Sequence, residues 1–373
     1  MTARDPATAV SFEKLVPELL NSGRFEIRLL CQSPADEILK PWVPESMLFA
    51  RPNDAFTRVL EDDFLQQQFA SFQPDAVLTG ISGPDTGMDE AVLHYAATHG
   101  IRSYALQSFW GDMNQASGAL PDIAFVMDDE AARITHERYP QVVSVPIGSI
   151  KHIDYHCYDP LAARAEKRPG LVEKDEVILG FYGQPILEIA GYFATLEALS
   201  RQLKRWSRPF RLLYRPHPKE TDVLRQKTLS LFTGAFGERV QLDPFDDIKD
   251  SLVVCDLVLS AFSTCCFDNL YLNELAPQPF NASVYLWFDP QLIQWWRDYS
   301  QLHDMPLISE QLLLSVDTEE EMLTVLEKGL QAETRQALWH RAKQHLPSPQ
   351  AAIGIVMEKL LADFDTERKV IHG

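Results

Sequence analysis

Cysteine is scarce in this sequence: there are five in 373 residues, an odd number with no C-x-x-C spacing. This spacing offers no ligand set for a structural zinc ion, and an odd count does not suit a disulfide framework. Two of the five, Cys265 and Cys266, are adjacent at the start of an apolar helical stretch. We therefore expect buried free thiols in a protein of the reducing cytoplasm.

Positive charge is also scarce, with 34 lysine and arginine residues against 53 acidic ones and a net charge of -19. This balance excludes non-specific nucleic-acid binding and a mainly electrostatic attachment to anionic lipid. The sequence also lacks a signal peptide and any apolar run long enough to span a bilayer. We expect a cytoplasmic protein without a transmembrane segment, although peripheral contact with a membrane stays open.

What the sequence does have is enough apolar material for two folded domains, since 46% of its residues are hydrophobic and 10% aromatic. Strand-like and helix-like segments alternate, which predicts parallel sheets with helices on both faces. We predict an α/β fold of two Rossmann-like doubly wound domains facing a cleft. Residues 1–150 would form the first domain, 151–174 a linker, 175–340 the second domain and 341–373 a terminal helix that crosses back.

The first nine residues look like the loop that follows a first strand, yet no strand precedes them. In a doubly wound domain the first strand is normally central. Either the start of this chain is truncated relative to its relatives, or the sheet is built without that strand.

A proline-braced histidine follows an apolar strand near the middle of the second domain. The segment Leu212–Glu220 runs from the strand into the loop Arg215-Pro216-His217-Pro218-Lys219. The two prolines fix φ and hold the loop extended, so that His217 is presented at the carboxyl edge of the sheet. Open α/β sheets bind ligands at that edge. We predict that His217 contacts a ligand and that Arg215 assists it.

Hydroxyl side chains follow the next long apolar strand, at Ser260, Ser263 and Thr264, just before a predicted helix. A helix start with free N–H groups and hydroxyls is an anion site. Simple capping of the helix is the alternative, but capping needs only one hydroxyl. Together with the basic histidine loop, this pattern predicts binding of a phosphate or diphosphate, most plausibly of a nucleotide.

The first strand of the second domain ends in Gly180-Phe181-Tyr182-Gly183-Gln184. Gly183 would let the backbone approach a phosphate, and Gln184 would offer amide donors without charge. The alternative is an ordinary tight turn between strand and helix.

The Arg-Pro-His-Pro loop and the later Asp-Leu-Val-Leu-Ser-x-x-Ser-Thr turn together resemble the C-terminal half of GT-B glycosyltransferases. The similarity is to bacterial sialyltransferases, Kdo transferases and CDP-glycerol polymer transferases. It implies that His217, Ser263 and Thr264 hold the donor's phosphate and that Glu274 or Asn269, on the following helix, reaches the nucleotide's ribose. It also implies a reaction without metal or separate cofactor. A CMP-linked acidic sugar of the sialic-acid or Kdo type is favoured, with UDP- and CDP-linked donors left open.

Carboxylates also follow two strands of the first domain, at Asp85 and Asp112. A transferase that inverts the anomeric centre needs one carboxylate to deprotonate the acceptor hydroxyl. The sialyltransferase resemblance points to an acidic motif that Asp85-Thr86-Gly87 approximates, so Asp85 is placed ahead of Asp112 as the base. For Asp89, which follows in the same loop, the alternative is that its carboxylate simply caps the next helix.

The resulting hypothesis is a glycosyltransferase that moves a sugar from a nucleotide donor to a glycan hydroxyl in polysaccharide biosynthesis. Two alternatives remain: a non-hydrolysing sugar-nucleotide epimerase, and a catalytically inactive relative that binds nucleotide or glycan. The aromatic cluster Trp287, Trp295, Trp296 and Tyr299 is predicted to pack against the second domain.

Overall fold

The computed structural model describes residues 1–61, 63–81, 86–173, 175–186 and 188–372. The chain divides into two compact units. The first is Met1–Asp154 together with Leu346–Gly373, and the second is Tyr155–His345.

The first unit is a seven-stranded parallel sheet with strand order β3-β2-β1-β4-β5-β6-β7. Its strands are β1 Thr2–Ala3, β2 Leu29–Gln32, β3 Leu48–Arg51, β4 Ala76–Thr79, β5 Arg102–Leu106, β6 Ile123–Val126 and β7 Val143–Pro146. Its helices up to this point are α1 Pro6–Asn21, α2 Ala35–Leu39, α3 Phe56–Glu61, α4 Phe64–Phe72, α5 Met88–His99 and α6 Asp129–Arg138. The chain order reverses at β1 and β4, which is the switch point of a doubly wound sheet.

The sheet does contain a central first strand, so the alternative of a sheet built without that strand is wrong. The strand is β1, only two residues long, in which Thr2 pairs with Leu30 on one side and Thr79 on the other. Two residues are too few for a period-2 apolar pattern, which is why the sequence does not show the strand. A cavity of about 430 Å³ lies beside Met1 and is lined by apolar residues such as Leu30 and Phe69 and by polar residues such as Arg28 and Gln68.

The second unit is a six-stranded parallel sheet with strand order β10-β9-β8-β11-β12-β13. Its strands are β8 Val177–Tyr182, β9 Phe210–Arg215, β10 Val240–Leu242, β11 Leu257–Ser260, β12 Ala282–Leu286 and β13 Leu314–Val316. Its helices are α7 Pro160–Lys167, α8 Ala190–Arg205, α9 Asp222–Phe236, α10 Ile248–Val254, α11 Cys265–Leu275, α12 Pro290–Ser300, α13 Pro306–Ser309, α14 Met322–Leu330 and α15 Ala332–His345.

The last helix, α16 at Ala352–His372, belongs to the first unit, whereas α15 belongs to the second. In α16, Val356 and Leu360 are buried in the first unit's core, and the Tyr104 hydroxyl donates to Asp363 at 2.8 Å. The chain therefore returns to its first unit at the C-terminal end. The two parallel sheets with their helices confirm the predicted α/β, doubly wound fold class.

The segment 151–174, predicted to be a linker, has no strand among its described residues but does contain α7. Two arginines of this helix region, Arg164 and Arg168, each donate at 2.6 Å to the carboxylate of Asp256. The same carboxylate accepts from the backbone N–H of Ile178 at 2.8 Å. Most of the segment is thus fastened to the second unit as part of its structure.

No helix in the described part of the chain is both long and apolar enough to cross a bilayer.

Asp256 is 7% exposed, and its removal would leave two half-buried guanidinium groups without their counter-ion. We expect Asp256→Asn to destabilise the protein by about 3–5 kcal/mol, the usual result of breaking a buried pair. The midpoint of urea unfolding measures this. Glu319→Gln, which breaks an exposed pair with Arg201, is the control and should change stability by less than about 1 kcal/mol. Equal effects of the two variants would contradict the anchoring role of Asp256.

Candidate functional site

The loops after β8, β9 and β11 meet at one edge of the second sheet, because these strands are neighbours in a parallel sheet. They carry the Gly183-Gln184 turn, the His217 loop and the Ser260–Thr264 turn. The carboxyl ends of parallel strands are where doubly wound sheets bind ligands. The structure therefore brings together the three loops that the sequence singled out in this domain.

The amide of Gln184 ties the first of these loops to the third. Its side-chain oxygen accepts from the Phe262 backbone N–H at 3.0 Å and from the Ser260 hydroxyl at 3.3 Å. The Ser260 oxygen in turn accepts from the Ser263 backbone N–H at 3.0 Å. Gln184 and Ser260 are both buried. They shape the turn from within, and their direct contact with a ligand stays a prediction.

His217 is half-buried, and its ring is held by its own loop. The ring Nδ1 accepts from the Lys219 backbone N–H at 3.0 Å, so the proton of the neutral ring is on Nε2. The backbone N–H of His217 donates to Glu220 at 2.9 Å. Burial and then the charge of Lys219 lower the pKa of the ring below its usual value. At neutral pH His217 therefore presents a neutral Nε2–H donor, which suits a phosphate oxygen.

Gly183 is required by close packing. A Cβ at this position would collide with the Glu220 carboxylate and lie 3.3 Å from the Tyr214 ring. Glu220 is 5% exposed, accepts from the Tyr214 hydroxyl as well as from His217, and burial raises its pKa. The glycine thus makes room for the carboxylate that positions the histidine loop.

The three hydroxyls predicted to form a cradle have different environments. Ser260 is fully buried, as described above. The Ser263 oxygen accepts from the Cys265 backbone N–H at 3.2 Å at the start of α11, so it acts as a cap. Thr264 is exposed, and within the described residues its side chain makes no capping bond. Thr264 is therefore the hydroxyl residue of this loop that is exposed to a ligand.

Arg215, Asn269 and Glu274 are the other predicted ligand contacts of this unit. The Arg215 guanidinium donates to the carbonyls of Phe245 and Asp246 at 2.7 and 2.9 Å and pairs with Asp243. It therefore holds the loop after β10, and its contact with a phosphate stays a prediction.

On α11, Asn269 is 1% exposed and bonded to Asn281 and Ser283, so it belongs to a buried amide cluster. Glu274 lies in the last turns of α11, far from the helix start, near the positive charge of Lys343. The carboxylate nearer the start is Asp268, in the first turn and 4% exposed. The sequence analysis did not single out Asp268, although its position four residues after Thr264 places it in the first turn of the helix.

In the first unit, Asp85 lies outside the described residues and its assignment as the base stays a prediction. Asp112 follows β5 in the loop after Leu106. Burial, followed by the negative charge of Asp5, raises its pKa to about 6; Arg138 lowers it and Glu90 raises it further. Asp112 can therefore exchange a proton near neutral pH, as a general base must.

The other acids of this region accept hydrogen bonds from backbone N–H groups or from a hydroxyl. Asp5 caps α1 by accepting from Ala7 and Thr8 N–H, at 2.8 and 3.1 Å. Glu90 accepts from the Gly87 N–H at 2.6 Å. Asp89 accepts from the Thr2 hydroxyl at 2.6 Å, which links α5 to β1 in addition to any capping. Within this group, burial shifts the pKa of Asp112 to about 6, near the pH at which a general base operates.

No group of three or more His, Cys, Asp or Glu side chains that could hold a metal ion occurs among the described residues. Independence of metal stays a prediction.

No protein-family model and no curated protein matches this sequence. Solved structures do match over nearly the whole chain. The UDP-GlcNAc 2-epimerase from Neisseria meningitidis bound to UDP-GlcNAc has a TM-score of 0.62 at 13% identity, covering 97% of this chain and 98% of that one. MurG from Acinetobacter baumannii has a TM-score of 0.62 at 13% identity, covering 96% and 98%. A glycosyltransferase from Rickettsia africae has a TM-score of 0.61 at 12% identity, covering 98% and 97%.

These likenesses show a GT-B-type fold, and at such identities they show the fold alone. The finer resemblance to sialyltransferases, Kdo transferases and CDP-glycerol polymer transferases stays a prediction.

Replacing Gly183 tests the packing of the histidine loop. Gly183→Ala should push Glu220 away, release the His217 backbone and destabilise the second unit by about 1–3 kcal/mol, the usual effect of overpacking. Differential scanning calorimetry measures it. Gly234→Ala is the control, because a Cβ at that exposed helical position has no described atom within 4 Å. A Gly183→Ala protein as stable as the Gly234→Ala protein would show that the loop tolerates the added carbon.

Proposed function

We propose that this protein is a nucleotide-sugar-dependent glycosyltransferase. The observation that carries the proposal is the convergence of the His217 loop, the Gly183 turn and the start of α11 at one edge of a doubly wound sheet. Enzymes that share the fold support it: one matching structure is a glycosyltransferase, and another holds UDP-GlcNAc.

The donor's phosphates would bind at this edge of the second unit. The Nε2–H of His217, the Thr264 hydroxyl and the N-terminal dipole of α11 would each face negative charge there. As the bond between the anomeric carbon and the phosphate oxygen breaks, the electron pair stays with the nucleotide. Donors fixed in advance stabilise that growing charge without having to reorganise. Positioned donors can do this without a bound metal, which is why we expect activity in the presence of EDTA.

A carboxylate of the first unit would take the proton from the acceptor hydroxyl while its oxygen forms the new glycosidic bond. Asp112 suits this role because its pKa of about 6 leaves it ionised, yet basic, at neutral pH. Asp85 remains the other candidate from the sequence.

Epimerisation is the second candidate function, since an epimerase shares the fold and the first unit does gather several acids. Epimerisation by elimination and re-addition requires acid and base groups around the sugar ring itself. Two of the acids near Asp112, Asp5 and Glu90, are held by backbone N–H groups, which favours transfer with a single base. Incubation with UDP-GlcNAc followed by NMR distinguishes the cases: released UDP on adding acceptor indicates transfer, and a second UDP-sugar indicates epimerisation.

Binding measurements can identify the nucleotide that the donor carries. UDP follows from the matching structure that holds UDP-GlcNAc, and a CMP-linked acidic sugar follows from the sequence resemblance. A ligand that binds only the folded state raises the melting temperature, so a thermal-shift panel of UDP, CDP, CMP and GDP ranks the alternatives.

His217→Ala should weaken binding of the preferred nucleotide by about 1.5–3 kcal/mol, the range for a hydrogen bond to a charged group. Calorimetric titration measures the loss. His340→Ala is the matched control, since His340 is an exposed histidine on α15 and should bind nucleotide normally. Unchanged affinity in the His217→Ala protein would remove this residue from the site.

Asp112→Asn should lower kcat by about 10²–10⁴ while nucleotide affinity is kept, as expected for loss of a general base. In the wild type, kcat/KM should fall as pH drops through about 6, where Asp112 gains its proton. A normal kcat in this variant would exclude Asp112 and leave Asp85 as the base.

The same variant has an expected effect on stability. Asp112 keeps its proton up to about pH 6 in the folded state, but has an ordinary carboxyl pKa of 3.8 when unfolded. The folded state therefore loses stability relative to the unfolded state as pH rises from about 4 to about 6. Asp112→Asn should raise the melting temperature at pH 7.5, and the gain should disappear as pH approaches 4. A melting temperature raised equally at both pH values would contradict the shifted pKa.

A further inference from the structure

Five aromatic side chains lie together beside the loop after β11, and we call them the aromatic ladder: Phe262, Trp287, Trp295, Trp296 and Tyr299. Three of them stack in series. The ring centroids of Phe262 and Trp295 are 5.8 Å apart at an interplanar angle of 24°, and those of Trp295 and Tyr299 are 5.4 Å apart at 12°. Trp287 meets Phe262 and Trp296 edge-on.

The aromatic ladder begins inside the proposed phosphate site. Phe262 lies between Ser260 and Ser263, and its backbone N–H donates to Gln184. Trp287 directly follows β12, the neighbour of β11, so it belongs to the same carboxyl edge of the sheet. The ladder is therefore continuous with the loop that would hold the donor's phosphates.

Packing, the role predicted from sequence, explains only part of the ladder. On α12 the residues Leu292 and Trp296 are buried, and they attach the helix to the core. Trp295 and Tyr299 are one turn apart on another face, where Tyr299 is 59% exposed. Attachment of the helix to the core therefore accounts for Leu292 and Trp296 but leaves the ring of Tyr299 largely in water.

Hydrogen-bonding side chains accompany the exposed ring of Tyr299. Gln291 and Asp298 lie one turn before and one turn after Trp295 and are exposed, and Gln294 donates to Asp298 at 2.8 Å. An aromatic face next to amide and carboxylate groups matches a pyranose, whose C–H face is apolar and whose rim carries hydroxyls.

We propose that the aromatic ladder is a sugar-binding platform, on which the exposed ring of Tyr299, supported by Trp295 behind it, stacks against a pyranose ring. This rests on the proposed function, because the platform adjoins the site assigned to the donor's phosphates. The ring could be the sugar of the donor or a residue of the acceptor glycan, and both present the same chemistry.

The test compares ligands that differ by a sugar. Dissociation constants are measured by calorimetry for UDP, UDP-glucose and UDP-GlcNAc, and for cellotetraose and maltotetraose as free glycans. Three variants are compared with the wild type: Tyr299→Ala, Trp295→Ala and Tyr299→Phe. Trp42→Ala is the matched control, since Trp42 is 57% exposed in the first unit.

For a donor sugar, Tyr299→Ala and Trp295→Ala should each weaken UDP-sugar binding about five- to tenfold, the scale of one aromatic stacking contact, while the dissociation constant of UDP stays within about twofold. For an acceptor, the same loss should appear with a tetrasaccharide instead. Tyr299→Phe should bind as the wild type does, because it keeps the ring.

Equal losses for UDP and for UDP-sugars would assign the ladder to the nucleotide and overturn the proposal, as would unchanged binding of every sugar ligand in Tyr299→Ala. A wild type that binds no sugar ligand would overturn it too. Binding of UDP-sugars that depends on the ladder but leads to no transfer would instead reject the proposed function and keep the platform. Tyr299→Ala keeps the test valid if Trp295→Ala does not fold, because Tyr299 is exposed.

Discussion

The buried side-chain oxygen of Gln184 is the contact on which the candidate site depends. It accepts hydrogen bonds from the loop after β11 while its own residue belongs to the loop after β8, so two chain segments far apart in sequence are held at a fixed separation. Leaving those donors unsatisfied in the interior would cost free energy, which makes the arrangement specific. Phe262, and with it the start of the aromatic ladder, is placed by this bond.

The histidine loop is fixed by a second buried polar group of the same kind. Glu220 accepts from the His217 backbone and from Tyr214, and the missing side chain of Gly183 leaves the space it needs. Prolines limit the loop's conformations in the unfolded chain, and the carboxylate selects one of them in the folded chain. The neutral ring that results can donate to an anion without carrying a buried charge of its own.

Sequence reasoning located the loops of the second unit because strand ends and prolines are visible in the pattern of residues. It could not tell which side chains face a ligand. The Arg215 guanidinium donates to the loop after β10, and Asn269 belongs to a buried amide cluster. In both cases the hydrogen-bond partner lies more than ten residues away in the sequence. The central strand β1 could not be predicted, because two residues show no periodicity. The role of Asp256 could not be predicted either, because it depends on arginines of a segment that was predicted to be a linker.

The helix α12 shows why such assignments fail at the level of a single residue. Its aromatic residues occupy two faces, and helical spacing separates those faces without saying which one meets water. Trp296 is 3% exposed and serves the core, whereas Tyr299, three residues later, is 59% exposed at the end of a stack that starts in the ligand-binding loop. The same residue types thus pack into the core on one face and, on the other, stack in series from Phe262 outward. The backbone N–H of Phe262 donates to Gln184, so the inner end of that stack lies in the loop that Gln184 holds.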